Sequence, residues 1–574
     1  MPAPRTVPSQ GPKDVVTFTI SIDGEAIPLT VEVSALTVFK GIGKIPFARI
    51  EILDGDPAAQ TFSQSENELF APGGEIEIQA GYSSQEDLIF RGIIVGQKVR
   101  MRKSGRGLLT LLCRHALYHS TLTEKSATFL DSSDSDAIST ALGSYDVDLT
   151  AESTDIIHEK LVQFHATDWD FALERAQSSG LFLIPTDDGA TLAPPELSGE
   201  AVLSLQMGAT IYELDFEMDC RSQPVDSTAT AWDQASQDIL ESTGTDPGYA
   251  PGTSLSGSDL AEVHGQNFHL SHPGTFTQEE LDAFSSARLL IARLASHTGR
   301  VQCTGTPAPI PGTLLALEGV GAQFNGTHLI SAVRHGIHDG QWITEIQFGL
   351  NEQAPLIQPK AIPSHTTGLH LAVVEALSED PEGEFRVQIS VPTLGEEAAP
   401  IWARLSSPTA GDTRGMAYFP DIGDEVIVSF LNDDPRHPII MGSLFSSALP
   451  AHLEPNDDNF HKGMVSKEEL KLLLDDELKS ILLSTPNGNS ITLSDDEGGI
   501  LFEDENGNSL KLNSDGITLD SASDITINAS GDISVSGTNV ESTASAQLTA
   551  SGSSGAEFSA SGTTVVKGAM VQIN

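Results

Sequence analysis

Residues 516–537 read GITLDSASDITINASGDISVSG. Apolar residues come in pairs two apart, Ile517/Leu519, Ile525/Ile527 and Ile533/Val535, and nearly everything between them is Ser, Thr, Asp, Asn or Gly. That spacing puts both members of a pair on one side of an extended strand. The pairs recur at a period of eight, and eight residues of strand span only ~26 Å, too short to close a coil around side chains. One chain alone cannot bury them. If each octad is one face of a triangular prism, a chain returns to the same face after three octads. It then climbs ~14 Å per circuit with strands ~4.8 Å apart, which leaves room for two further strands between its own. Two more copies of the chain fill that room. The expected trimer core is therefore Ile517, Leu519, Ile525, Ile527, Ile533 and Val535, turned towards a shared three-fold axis.

The same logic extends in both directions. Downstream, the pairs drift to spacings of six to ten through Ala546/Leu548, Ala556/Phe558 and Thr564/Val566 to Val571/Ile573, with glycines at the corners. Upstream, Asn-Gly-Asn-Ser occurs twice, at 487–490 and 506–509, each time before alternating apolar residues, a strong hairpin signal. The stretch SKEELKLLLDDELKS at 466–480 has two readings. One is a helix capped by Ser466 and Glu469; the other is a pair of strands, because Leu470, Leu472 and Leu474 alternate. The strands are expected. A disordered tail would not need branched apolar residues kept in register. From Leu472 to Ile573 the prism would rise ~50 to 60 Å.

The rest of the chain reads as mainly β. Residues 1–14 form a tail, and 15–362 a hub of two β-barrels with helical insertions. Short β-rich runs such as VVTFTISIDG and GEIEIQAGY occupy its first part. A helix is expected at 134–142. Another begins after Thr167 and stops at Gly180, and a longer one follows the capping box Thr277/Glu280 with Phe284, Ala287, Leu290, Ile291 and Leu294 on one face. Residues 222–275 read as a loop insertion. Three prolines at 355, 359 and 363 mark a hinge before an OB-type barrel at 363–450, in which Leu369, Leu371 and Val373 alternate along one strand face, as do Phe385, Val387, Ile389 and Val391, then Val426, Val428 and Phe430. A neck at 451–480 leads into the spike at 481–574.

Composition narrows the function. Among 574 residues, 80 are acidic and 31 basic, a net charge of −49, which repels nucleic acid and anionic lipid. Cys113, Cys220 and Cys303 are odd in number and widely spaced, so they read as buried thiols rather than a disulfide framework or zinc site. MPAPRTVPSQGPKD has no signal-peptide core, and no apolar run is long enough to span a membrane, which predicts synthesis and folding in the cytoplasm.

No metalloprotease, serine-hydrolase or nucleotide-loop motif occurs, and no catalytic residue, cofactor or metal is assigned. His264, His269 and His272 lie close in sequence but lack cysteine or carboxylate at ligand spacing. Arg91, Lys98, Arg100, Arg102, Lys103 and Arg106 form the basic cluster, read as a hairpin tip contacting an acidic neighbour. Acidic pairs such as Asp433-Asp434 and Asp495-Asp496 read as solvated turns.

Several stretches are similar to those of a known family. RVQISVPTLGEE, WARL, YFPDIGDEVIVSFLNDDPRHPIIMGSLF and STPNGNSITLSDDEGGILFEDENGNSLKLNSDGITL resemble the OB domain and β-prism of VgrG-type spike proteins, kin of the phage baseplate V family. LVQFHATDWDFALERAQSSGLFLIPTDDGATLAPP resembles the hub of the same proteins. The resemblance implies a homotrimeric hub and spike of a contractile injection system, of the kind used by phage tails, type VI secretion and extracellular particles, anchored in a membrane or released. It implies a hexameric inner tube protein and baseplate subunits as partners, effector cargo as a further one, and contact with a target membrane only on firing. A PAAR-type tip protein would dock on Met570, Val571, Ile573 and Asn574. A trimeric β-helical tailspike that degrades polysaccharide or binds a receptor is the alternative.

Overall fold

The computed structural model describes residues 15–56, 59–101, 107–145, 147–350, 366–395 and 399–573. The chain divides into two compact units, 1–449 and 450–574. The tail at 1–14, the hinge at 351–365 and Asn574 lie outside the described residues.

In the first unit, alternation dictates strands and the strands share one sheet. Val33–Gly41 and Lys44–Leu53 form a hairpin whose inward residues include Leu36, Val38, Ala48, Ile50 and Ile52. Gly326–His338 pairs with Val33–Gly41, from Ala332 opposite Gly41 to His338 opposite Ala35. This joint fuses the two expected strand sets into a 13-stranded sheet. Each set keeps its own core. One is built on Ile20, Ile78, Phe90 and Leu111; the other on Val301, Leu315, Ile346 and Phe348.

Helices cover a third core. α1 (Asp134–Leu142), α2 (Asp168–Ser178) and α4 (Gln278–Leu294) begin where the sequence supplies caps. Ser133 and Thr167 accept the amide N–H of Asp136 and Asp170, and Thr277 and Glu280 close a capping box. Gly180, at φ +70°, ends the second helix in a conformation open chiefly to glycine. Trp169, Ala172 and Leu173 of α2 meet Leu290 and Leu294 of α4 beneath them. Phe182–Pro185 and Gly189–Ala193 form a hairpin that turns through Asp187 and Asp188.

The insertion at 222–275 is not loop. Ser227–Asp233 pairs antiparallel with Asp238–Thr243 and parallel with Phe268–His272, and a short helix α3 (Gly257–Ala261) lies in sequence between the last two of these strands. Its inward residues Ala229 and Ala231 are small, so alternation carried almost no hydrophobic signal; they are buried against Leu281 of α4.

The OB region closes as a five-stranded barrel of His370–Ala376, Val387–Ser390, Ile401–Leu405, Pro438–Ser443 and Glu425–Phe430. Its first strand corrects the expected register. Ala372 and Val374 face inward, whereas Leu369, Leu371 and Val373 are exposed, as is Phe385. LHLAVVEAL is apolar on both faces, and a one-residue slip exchanges them. Val162, from the hub strand Ile157–Thr167, is buried against the barrel core.

The second unit opens with seven antiparallel strands joined in order: His461–Val465, Lys471–Asp475, Ser480–Ser484, Ser490–Ser494, Gly499–Glu503, Ser509–Asn513 and Gly516–Asp520. Residues 466–480 thus form strands and turns. Gly488 and Gly507, at φ +97° and +85°, occupy the tight hairpin corners. Through Asp520 the chain pairs with itself, because hairpin corners and prism corners call for the same Asn, Asp and Gly. Residues 521–573 form no strand within the chain.

Candidate functional site

Register decides what the seven-stranded sheet presents. Residues directly opposite in an antiparallel pair point to the same face, as do residues two apart. Following the pairing gives one row of Leu474, Ile481, Leu493, Ile500, Leu512 and Ile517. A second row runs Met464, Leu472, Leu483, Ile491, Phe502, Leu510 and Leu519. Both rows lie on one face, an uninterrupted apolar ladder. Leu483 and Phe502 remain about two-fifths exposed and Ile517 three-quarters. Contiguous apolar surface of this extent marks an interaction face.

The remaining expected core residues continue the pattern beyond the sheet. Ile525, Ile527, Ile533 and Val535 are all more than half exposed, with no strand partner in their own chain. Ile517 and Leu519 differ from them, being the last rung of the intrachain sheet, opposite Leu512 and Leu510. Met570, Val571 and Ile573 are exposed near the end of the described residues.

A second feature, in the first unit, escaped the sequence reading. Asp434, expected in a solvated turn, is 2% exposed. Arg436 Nη2 donates to it at 2.8 Å and Arg436 Nη1 to Glu280 at 3.0 Å, with the guanidinium 4.7 Å from the Phe276 ring centre. Glu280 also accepts from His158 Nδ1 at 2.8 Å, and Asp134 accepts from Arg175 Nε at 2.6 Å with His158 Nε2 3.4 Å away. These groups tie α1, α2, α4 and the strand Ile157–Thr167 to the loop before the last barrel strand.

Charge is balanced within this latch. Burial works to raise the Asp434 pKa, but the Arg436 guanidinium outweighs it and holds the carboxyl well below the usual range. Glu280 is likewise desolvated, yet its bonds to His158 and the Arg436 charge bring it to about 2. His158 is buried, which opposes protonation, but hydrogen bonds to Asp134 and Glu280 raise its pKa. Three carboxylates therefore face two guanidiniums and an imidazolium. His437, beside them, is pulled down to about 4 by burial despite Asp434. The only signal in the sequence was Glu280, read as a cap and no more.

The other candidates separate. His264 lies 3.6 Å from Cys220, His269 is elsewhere on the surface, and His272 sits buried 3.7 Å from Asp434. Among the described residues no group of three or more His, Cys, Asp or Glu side chains is placed to hold a metal. Arg91 is engaged within its own chain by Glu77 at 2.8 Å and by Asp188. Arg102, Lys103 and Arg106 lie outside the described residues. Cys113 and Cys303 are buried, and burial pushes both thiols up to about 12; Cys220, expected buried, is half-exposed. Among the described residues no helix is long and apolar enough to cross a membrane.

Family models cover nearly all of this architecture. The Alg8 N-terminal domain matches residues 12–339, the type VI secretion system/phage-baseplate injector OB domain 370–445, and the phage baseplate V C-terminal trimerisation domain 480–574. The chain is 27% identical over 216 residues to the type VI secretion system spike protein VgrG1a of Pseudomonas aeruginosa, covering 34% of this chain and 33% of that one. It is 28% identical over 237 residues to the actin cross-linking toxin VgrG1 of Vibrio cholerae, covering 36% and 21%. The chain thus spans a third or less of the length of these relatives. A chain of the Francisella PdpA-VgrG complex shares its fold, with a TM-score of 0.55 at 10% identity over 88% of this chain and 80% of that one. With its first model matching more than half of its length, and the baseplate OB and trimerisation domains following in order, the chain belongs to the Alg8 N-terminal domain family.

Proposed function

We propose that this protein is the homotrimeric hub and spike of a contractile injection machine. The apolar ladder carries the reading. Two rows of large apolar side chains from Met464 to Leu519 are left half-buried or exposed on an isolated chain, and the ribbon after Asp520 has no strand partner within itself. Three copies remove both defects together. The ladders meet around a three-fold axis, and the backbones of 521–573 pair between chains. Burying each large aliphatic side chain contributes roughly 1.5–3 kcal/mol, and thirteen ladder positions per chain act in concert. The match to a trimerisation domain over 480–574 supports this stoichiometry.

In the assembled particle the hub mates with a hexameric inner tube and baseplate subunits, and the spike transmits thrust through the latch and the prism. Ile525, Ile527, Ile533 and Val535 form the inner layers of the prism, and Met570, Val571, Ile573 and Asn574 receive a PAAR-type tip protein. Effector cargo travels with the spike, and the target membrane is met only on contraction. Light scattering on the full chain, run with a glycan-hydrolysis screen, tests this. A trimer without turnover supports the spike; turnover abolished by changing one carboxylate pair supports the polysaccharide-degrading alternative.

A further inference from the structure

The chain has four tryptophans, and two of them, Trp169 and Trp342, are core residues. The other two, Trp232 of the insertion and Trp402 of the barrel, line one cleft of about 220 Å³. It lies between the insertion, the hub strand Ile157–Thr167 and the closed barrel. Neither indole N–H has a hydrogen-bond partner among the described residues. Arg404, on the same wall, has no ion pair among them either. Lys160 reaches only the carbonyls of Ala399 and Pro400 there, at 3.5 and 3.4 Å. His437 Nε2 is buried at the same cleft without a hydrogen bond. Arg404 without an ion pair, Lys160 held only by carbonyls and the neighbouring Glu159, and three ring nitrogens without hydrogen bonds thus converge on one cavity, whose carboxyls Glu280 and Glu382 are engaged by Arg436 and Arg386.

We propose that this cleft binds a carboxylate-bearing saccharide, such as a uronic acid unit of a polysaccharide, with its ring against Trp232 and Trp402 and its carboxylate held by Arg404 and Lys160. Sugar rings present apolar C–H faces that pack on indoles, while their hydroxyls take the free N–H donors. A neutral sugar would leave both cations unmatched. An acidic peptide would match the cations but lacks a flat ring face for the indoles. The site binds rather than cleaves: of the three carboxyls at the cleft, Glu159 and Glu382 are hydrogen-bonded to each other and Glu280 is taken up by His158 and Arg436. Retaining hydrolysis needs carboxyls ~5 Å apart and inverting hydrolysis more.

The test is calorimetric titration of the full chain with a galacturonic acid oligomer at pH 7, with tryptophan fluorescence followed in parallel. Saturable binding is expected, at least tenfold tighter than to a galactose oligomer of equal length, with a change in tryptophan emission. Arg404→Gln, at an exposed position, weakens it at least tenfold with circular dichroism unchanged; Trp232→Phe is the second variant should the first misfold. Burial brings the Lys160 pKa to about 8, so affinity falls between pH 7 and 9 while the ligand stays ionised. Absence of binding at millimolar oligomer, equal binding of the galactose oligomer, or equal binding of polyglutamate or inorganic phosphate each overturns the proposal. None of these results bears on the assembly of the spike.

Discussion

Replacing Asp434 by Ala removes the carboxylate that faces Arg436 in the buried latch. Arg436 then keeps only Glu280, which it shares with His158. Breaking one side of a buried ion pair costs ~3–5 kcal/mol, and the surviving Glu280 contact places this case at the lower end, ~3 kcal/mol. The loss falls on the joint between barrel and helices, so it appears as easier local opening of the neighbouring strands Glu425–Phe430 and Pro438–Ser443. At ~1.4 kcal/mol per decade, amide hydrogen exchange in those strands accelerates about a hundredfold. Asp495→Ala, in an exposed turn of the second unit, is the control and changes protection there by less than a factor of about three. Exchange in the two barrel strands of Asp434→Ala within twofold of the parent would refute the reasoning, because the charges would then be bystanders.

Acid should unfold the hub from within. Burial lowers His297 and His328 to about 4 and His335 to about 3, against 6.5 for the free side chain, so their folded forms are neutral. A depressed histidine contributes stability above pH 6.5 that is lost as pH falls towards 4, about 3 kcal/mol for a shift of this size; thermal melts should show a steep fall across that window. Maleimide should label Cys220 in the folded protein and reach Cys113 and Cys303 only on unfolding, which mass spectrometry reads directly. Ile527→Asp places three carboxylates in a dry core at several kcal/mol each and should yield monomers by light scattering; a heat-resistant trimer would contradict it.

Much of this fold was legible because its signals were local. Thr167, Thr277 and Glu280 announced helix starts by the donors they satisfy, and Asn487-Gly488 and Asn506-Gly507 announced hairpins. The paired apolar residues from Ile491 onward gave the ladder, since only a shared buried face keeps Ile, Leu and Phe in step. What was hidden depended on partners distant in sequence. Asp434 reads as a turn residue until Arg436 and Glu280 are brought to it from two parts of the chain. Trp232 and Trp402 lie far apart and meet at one cleft only after the insertion folds into strands. The first barrel strand misled because Leu371 and Ala372 are both apolar, and size favoured the wrong face. That the strand of Ile517 closes on the preceding one of its own chain was hidden too, as hairpin and prism share corner chemistry.

Sedimentation equilibrium on the purified full-length chain tests the central claim most directly. The account predicts a single species of three times the 60.8 kDa chain mass, persisting at nanomolar concentration. A monodisperse 60.8 kDa monomer whose residues 525–573 remain protected from amide exchange would contradict it.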